Sequence, residues 1–174
     1  GLFQFIERTW LEVVRDFGPK YGMEFAAASV TSANGQLTVA SESDREWILG
    51  LRRNPYLSAV MAAEMLKRDK AKIERRIGRE LDRSELYLMH FLGAESAGKL
   101  IELVGAKPKQ SAPKVFPAAA KANKTLFFAQ AKKKVRHLTV AEVYGKLDRM
   151  IETRLDRYDG VTAFAPSQAG FTIQ

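Results

Sequence analysis

The hydrophobic positions of this chain recur mostly at the three- and four-residue spacing of amphipathic helices, with charged residues between them. One such stripe runs from Phe3 to Phe17 and is ended by Gly18-Pro19. A second, longer helix is predicted to begin at Asn54-Pro55, because asparagine suits an N-cap and proline suits the first helical turn. Its apolar stripe comprises Leu57, Met61, Met65, Ile73 and Ile77.

Three further helices are predicted in the second half of the chain. Segment 84–92 is apolar on nearly every side, which indicates a central position, and a helix over 94–104 follows it. The last helix begins where Thr139 and Glu142 have the spacing of a capping box, and its periodicity continues to about Tyr158.

Turn and cap signals organise the segments between these helices. Asn34-Gly35 between two short β-branched runs predicts a hairpin, and Ser43 three residues before Glu46 predicts a capped short helix. The proline-rich segment 107–117 is expected to be a loop, and a short helix is predicted over 117–122.

These elements predict a mainly α fold with at most a small β-hairpin. A length of 174 residues suits one domain with a single core, expected over residues 1–158, and the aperiodic stretch 159–174 is expected to be a tail or linker. Without cysteine there are no disulfides or thiolate sites, and His90 and His137 are too few for a zinc cluster, so no metal is expected. Charges interrupt every apolar run, so no membrane span is expected.

The net charge of +8 is concentrated in one segment of the chain. Residues 105–141 hold nine cationic side chains and no aspartate or glutamate, so the rest of the chain has a net charge of minus one. Such a basic stretch attracts phosphate or carboxylate polyanions through a salt-screened field. The nine are Lys107, Lys109, Lys114, Lys121, Lys124, Lys132, Lys133, Lys134 and Arg136.

Four short segments form an ordered pattern along most of the chain. They are Gly1-Leu2-Phe3-Gln4 with Thr9-Trp10-Leu11, then Glu85 to Gly93, then Val115-Phe116-Pro117 with Ala122-Asn123, and last Thr139 to Tyr144. The first resembles the G-L-[FM]-Q segment of bacterial soluble lytic transglycosylases, a branch of the lysozyme-like superfamily. The second is similar to the E-L-Y-x-x-H-F-L-G variant that some members carry in place of A-Y-N-A-G.

This resemblance implies a lysozyme-like fold and a lyase that cleaves the β-1,4 bond between N-acetylmuramic acid and N-acetylglucosamine in peptidoglycan. The muramyl 6-hydroxyl would attack internally and leave a 1,6-anhydro product. The chemistry needs one carboxylic acid held neutral at about pH 7, which protonates the leaving oxygen and later accepts a proton. The implied partners are glycan strands and envelope assembly machinery, the implied location is the bacterial periplasm or cell envelope, and no cofactor is implied.

In the family, the catalytic glutamate precedes G-L-[FM]-Q, so its position would fall before Gly1. We expect the polypeptide to continue upstream, because a chain beginning at Gly1 would leave Phe3 and Phe5 poorly covered; the competing explanation is a chain cut in a loop. Glu95-Ser96 repeats the family's E-S pair. However, a helix N-terminus lowers a carboxyl pKa, which is the wrong direction for a general acid.

Gln4, Tyr87 and His90 are the candidate substrate-binding residues. By resemblance Gln4 lies in the glycan cleft, where its amide can both donate to and accept from sugar acetamido groups. Tyr87 and His90 would form the other wall, although an aromatic-rich central helix accounts for both equally well as core residues. Phe91 takes the place of the family's asparagine and is assigned to the core.

Two other classes of function remain as alternatives. The absent glutamate would suit a non-catalytic peptidoglycan-binding or assembly module that uses the same cleft. The basic stretch, with Phe116, Phe127 and Phe128 interleaved, would suit a nucleic-acid-binding domain. Because its lysines flank prolines and loops and present no recognition helix, nucleic acid is not the favoured partner.

We expect Gln4→Ala to slow the turnover of glycan strands by about 3- to 10-fold, the value of one neutral hydrogen bond, while helix content stays unchanged. Release of muropeptides from purified sacculi and far-ultraviolet circular dichroism measure the two effects. An unaltered rate would show that the cleft is misplaced.

Overall fold

The computed structural model describes the backbone of residues 5–164 and the side chains of residues 5–157. The chain divides into two compact units, Gly1–Lys72 and Ile73–Gln174, here called unit 1 and unit 2. Length predicts a single core, whereas the buried residues form two hydrophobic clusters, one in each unit. A run of mainly charged residues over 67–72 lies between the two sets of apolar positions.

Unit 1 is built from short helices and one hairpin. Its elements are α1 (Glu7–Phe17), α2 (Glu24–Ser29), β1 (Val30–Ala33), β2 (Gln36–Val39), α3 (Glu42–Gly50) and the larger part of α4 (Pro55–Ile77), with short 3-10 turns at Gly18–Tyr21 and Leu51–Arg53.

Trp10 is the centre of the core of unit 1. Its indole N–H donates to the carbonyl of Ile48 at 2.8 Å, which ties α1 to α3, and the Phe5 ring lies 5.2 Å from the indole. The first helix begins at Glu7 rather than at Phe3, because Ile6 is extended and serves as the N-cap. Phe3 lies outside the described residues.

The predicted hairpin and the start of α4 are confirmed. Strands β1 and β2 are antiparallel, and Asn34 and Gly35 have φ values of 52° and 74° in the connecting turn. Asn54 Oδ1 accepts from the Leu57 N–H at 3.1 Å, as expected of an N-cap. The predicted cap of α3, Ser43, lies two residues too late in the chain. The capping residue is Ser41, whose side chain accepts from the Asp44 N–H.

Unit 2 is helical with one further hairpin. Its elements after the end of α4 are α5 (Arg83–Leu92), α6 (Ala94–Ala106), α7 (Ala112–Val115), α8 (Pro117–Ala122), α9 (Lys124–Phe127), β3 (Phe128–Ala131), β4 (Lys134–His137) and α10 (Val140–Phe164). The core lies between α5, α6 and α10, and its largest buried aliphatic side chains include Leu88, Leu100, Leu147 and Ile151.

The mainly α prediction is confirmed, and three details of it are corrected. There are two hairpins rather than at most one, because β3 and β4 pair around Lys132-Lys133, a turn without asparagine or glycine. The predicted loop 107–117 contains the short helix α7. Helix α10 runs to Phe164 rather than to about Tyr158, because an internal glycine, Gly160, weakens a helix without ending it.

We expect Leu147→Ala to lower the free energy of unfolding by about 2–5 kcal/mol, since Leu147 is fully buried in the core of unit 2 and truncation leaves a cavity. Urea unfolding followed by circular dichroism measures the change. The exposed Arg154→Ala on the same helix is the matched control and should change stability little. A loss below about 1 kcal/mol for the leucine variant would contradict this packing.

Candidate functional site

Helix α5, which carries Tyr87 and His90, is fixed at its start by a capping box. Asp82 Oδ1 accepts from the Glu85 N–H at 2.8 Å, and Glu85 Oε1 accepts from the Asp82 N–H at 3.2 Å. Together the two carboxylates satisfy backbone donors that a helix N-terminus otherwise leaves unpaired. Asp82 and Glu85 have the spacing that a capping box requires, so this box was predictable from the sequence although it is not among the predicted caps.

Glu85 is the most deeply buried charged side chain among the described residues, with 1% of its surface exposed. Arg79 is itself half exposed. It donates two hydrogen bonds to the carboxylate, of 2.7 Å from Nη1 and 2.8 Å from Nη2. Tyr144 on α10 lines the same small void as Glu85 and is close enough to help lower the pKa of the carboxylate. The Glu85 cluster, comprising Glu85, Arg79 and Tyr144, therefore joins α5 to α10.

The charge state of Glu85 follows from two opposing effects. Burial raises its pKa, but hydrogen bonds from Arg79 and from the backbone of Asp82, with a smaller contribution from Tyr144, outweigh burial, so the pKa lies below its usual value. Burial and then the nearby Glu85 charge raise the pKa of Tyr144. Glu85 is thus a stable carboxylate that anchors the helix, not a group that delivers protons at neutral pH.

His90 and Phe91 are exposed on the outer side of α5, whereas Tyr87 is half-buried and packs in part against the core of unit 2. The buried face holds Glu85, Leu88 and Met89. The Tyr87 and His90 rings meet edge to face with centroids 6.1 Å apart, with Tyr87 half-buried and His90 exposed. Assigning Phe91 to the core is wrong, since 42% of it is exposed. The hydrophobic pattern predicts that α5 is buried on every side. In the structure, the face that carries Glu85 is buried and the face that carries His90 and Phe91 is exposed.

Two further residues were considered for the site, Gln4 and Glu95. Gln4 lies outside the described residues. Glu95 is exposed in the first turn of α6, at the position that the sequence predicts. The structure therefore places Tyr87 and His90 together on α5, and Glu95 lies on the next helix, α6.

An open cleft of about 370 Å³ lies at the opposite end of α5 from His90. It is lined by Asp82, Arg83, Ser84, Glu152, Leu155 and Asp156. Its lining is mostly polar and acidic, but within residues 5–157 no three histidine, aspartate or glutamate side chains are grouped to hold a metal ion.

Arg136, the last cation of the basic stretch, pairs with a glutamate that lies just beyond the stretch. Arg136 makes two bonds of 2.9 Å to Glu142, and these lower the pKa of Glu142 to about 2. Glu142 also completes the predicted capping box, since its backbone N–H donates to Thr139 Oγ1 and its side chain accepts from the Thr139 N–H.

The aromatic residues of the basic stretch face inward. Phe127 is buried, and Phe116 packs against it with ring centroids 6.5 Å apart. Phe128 is half-buried and lies edge-on to His137 at 5.3 Å. None of these three rings is a free platform for stacking bases, which removes the aromatic part of the argument for nucleic-acid binding.

No family model matches the chain. The resemblance to lytic transglycosylases therefore rests on the four sequence segments. Within the described residues, no helix combines the length and the apolar character that crossing a bilayer requires.

Glu85→Gln should destabilise the protein by about 2–4 kcal/mol at neutral pH, because it removes a buried charge that Arg79 and Tyr144 are arranged to bind. Since folding lowers the pKa of Glu85, its contribution is complete above the ordinary glutamate pKa of 4.5 and is lost as the pH falls through the lower, folded pKa.

The difference in melting temperature between wild type and Glu85→Gln should therefore shrink as the pH is lowered from 7 towards 3, which differential scanning calorimetry measures. The exposed Glu95→Gln provides the control. A difference that stays constant with pH would contradict the assignment of an ionised Glu85.

Proposed function

We propose that this chain belongs to a peptidoglycan lytic transglycosylase of the bacterial envelope, with a lysozyme-like arrangement of helices around a glycan cleft. It would cleave the bond between N-acetylmuramic acid and N-acetylglucosamine and form 1,6-anhydromuramoyl ends. The general acid and base is the glutamate that the family resemblance assigns to a position ahead of Gly1.

The contact between Glu85 and Tyr144 carries the proposal. Glu85 belongs to the E-L-Y-x-x-H-F-L-G segment and Tyr144 ends the T-V-A-E-V-Y segment, two of the four stretches that resemble the family. Two resembling segments that lie against each other in the folded chain are more informative than sequence matches with no spatial relation. The proximity of Glu85 and Tyr144 supports treating the two segments as parts of one motif.

The face with Tyr87, His90 and Phe91 suits a sugar ligand. Aromatic rings pack against the apolar faces of pyranose rings, while a phenol hydroxyl and an imidazole can exchange hydrogen bonds with hydroxyl and acetamido groups. The capping box and the Glu85 cluster fix α5 beneath these side chains, so that the face is preorganised.

The electrostatics of the described residues fit an acid supplied from elsewhere. The pKa is lowered in Glu64 by a hydrogen bond from Tyr21, in Glu142 by Arg136, and in Glu85 by the net effect of its bonds. A general acid for glycoside cleavage needs a raised pKa. These three carboxylates are therefore not suited to the role.

We expect the full protein encoded by the gene to release muropeptides with 1,6-anhydro ends from purified sacculi, each lighter by one water than the product of hydrolysis. Mass spectrometry of the digest identifies them. Reducing ends in their place would contradict the proposal, and so would binding to sacculi without any product, which is the outcome that a non-catalytic wall-binding module gives.

His90→Ala should lower this activity about tenfold with an unchanged melting temperature, since His90 is exposed and contributes little to packing. Glu95→Gln, an exposed change on the neighbouring helix, is the matched control and should leave the rate unchanged. Equal rates for wild type and His90→Ala would remove the face on α5 from the cleft.

A further inference from the structure

The two hairpins described here share strand and turn lengths but differ in turn residues and turn backbone, since Asn34 and Gly35 both have a positive φ whereas only Lys132 does in the second turn. In both, four-residue strands are joined by a two-residue turn that follows an alanine. The first turn is Asn34-Gly35, the pair that such turns favour. The second is Lys132-Lys133, followed at once by Lys134. The first hairpin therefore serves as a comparison for the second, because its turn has the residues that stabilise such turns.

Lysine is an unfavourable choice at the second turn. Lys132 has a φ of 51°, in the left-handed region that glycine and asparagine tolerate and lysine rarely adopts. Three adjacent ammonium groups also repel one another. Among the residues that the structure describes, no acidic side chain pairs with Lys132, Lys133 or Lys134. A local cost of this kind without local compensation is typical of a functional surface.

The hairpin tip extends beyond the packed part of unit 2. All four residues of β4 are exposed, and Gln130 and Ala131 of β3 are exposed as well. Val135, next to the three lysines, has 60% of its surface exposed. The tip, defined as residues 130–135, therefore presents three cations and one large apolar side chain on a narrow projection.

More cations flank the base of the hairpin. The segment around Lys109 runs beside the end of β4, because the Val140 N–H donates to the Gln110 carbonyl at 2.9 Å and the Ala141 N–H donates to the Pro108 carbonyl at 3.0 Å. Lys124 begins α9, one turn before β3. Arg136 is neutralised by Glu142, so the unpaired charge at the hairpin lies mainly at its tip.

We propose that the β3–β4 tip is a peripheral docking element for a bilayer surface rich in anionic phospholipid. A dense, flat array of phosphates matches cations on a convex projection, and Val135 can enter the interface between headgroups and acyl chains. Single-stranded nucleic acid is disfavoured because no aromatic side chain lies at the tip, and wall polymers offer no apolar layer for Val135.

The decisive variant exchanges one turn of the chain for the other. Lys132→Asn combined with Lys133→Gly installs the Asn-Gly pair of the first hairpin, and because asparagine tolerates the positive φ of position 132 the melting temperature should change little. Its affinity for vesicles in which about a third of the lipid is phosphatidylglycerol should fall roughly 20-fold at low salt, about fivefold per lysine. Lys67→Gln with Lys72→Gln removes the same charge from exposed positions of α4 and should keep the affinity.

Co-sedimentation of the full chain with vesicles measures these affinities. Wild type should bind phosphatidylglycerol vesicles, should not bind vesicles of phosphatidylcholine alone, and should be released when salt rises from about 0.05 to about 0.5 M. Absence of binding, or equal binding by the Asn-Gly variant, would overturn the proposal.

Val135→Ser separates a bilayer from a soluble polyanion. It should weaken vesicle binding several-fold even at low salt, because burial of the valine side chain is lost. A vesicle affinity that does not depend on Val135, or tighter binding of a short DNA duplex or of sacculi through the same lysines, would overturn the assignment to a lipid surface. Because no step of this test measures wall cleavage, its failure leaves the proposed enzymatic activity unaffected.

Discussion

The buried carboxylate of Glu85 is the constraint on which the organisation of unit 2 depends. A charge without access to water costs several kcal/mol unless it is fully paired, so every element that surrounds it must supply a donor. Arg79 comes from the segment before α5, the Asp82 N–H from its cap, and Tyr144 from α10. These partners determine the rotation of α5 about its axis, and therefore which of its aromatic side chains face solvent.

Local signals in the sequence were sufficient for elements whose stability is local. The Asn34-Gly35 turn, the Asn54 cap and the Thr139–Glu142 capping box are each defined within a few residues, and all three are confirmed. The second hairpin was missed because its turn carries lysines where a stable turn carries asparagine and glycine. The division into two hydrophobic clusters depends on contacts distant in sequence, which periodicity does not report.

The candidate site was predictable in part for the same reason. A resemblance of short segments was enough to select Tyr87 and His90, which lie side by side on α5. It gave no orientation, so Phe91 was assigned to the wrong face on hydrophobicity alone. In the sequence Glu85 stands out only as the first residue of the second resembling segment, and its spacing from Asp82 is the local signal of a structural role. The direction of its pKa depends on Arg79 and Tyr144, which a linear pattern does not bring together.

Glu142 has two tasks, and this has a consequence for local motion. Its carboxylate both caps the first turn of α10 and holds Arg136 of β4. Fraying of the helix start would release the strand, and separation of the strand would leave the cap less restrained. Strand β4 and the first turn of α10 are therefore expected to open as one cooperative unit, so that hydrogen exchange of their amides reports one shared free energy of opening.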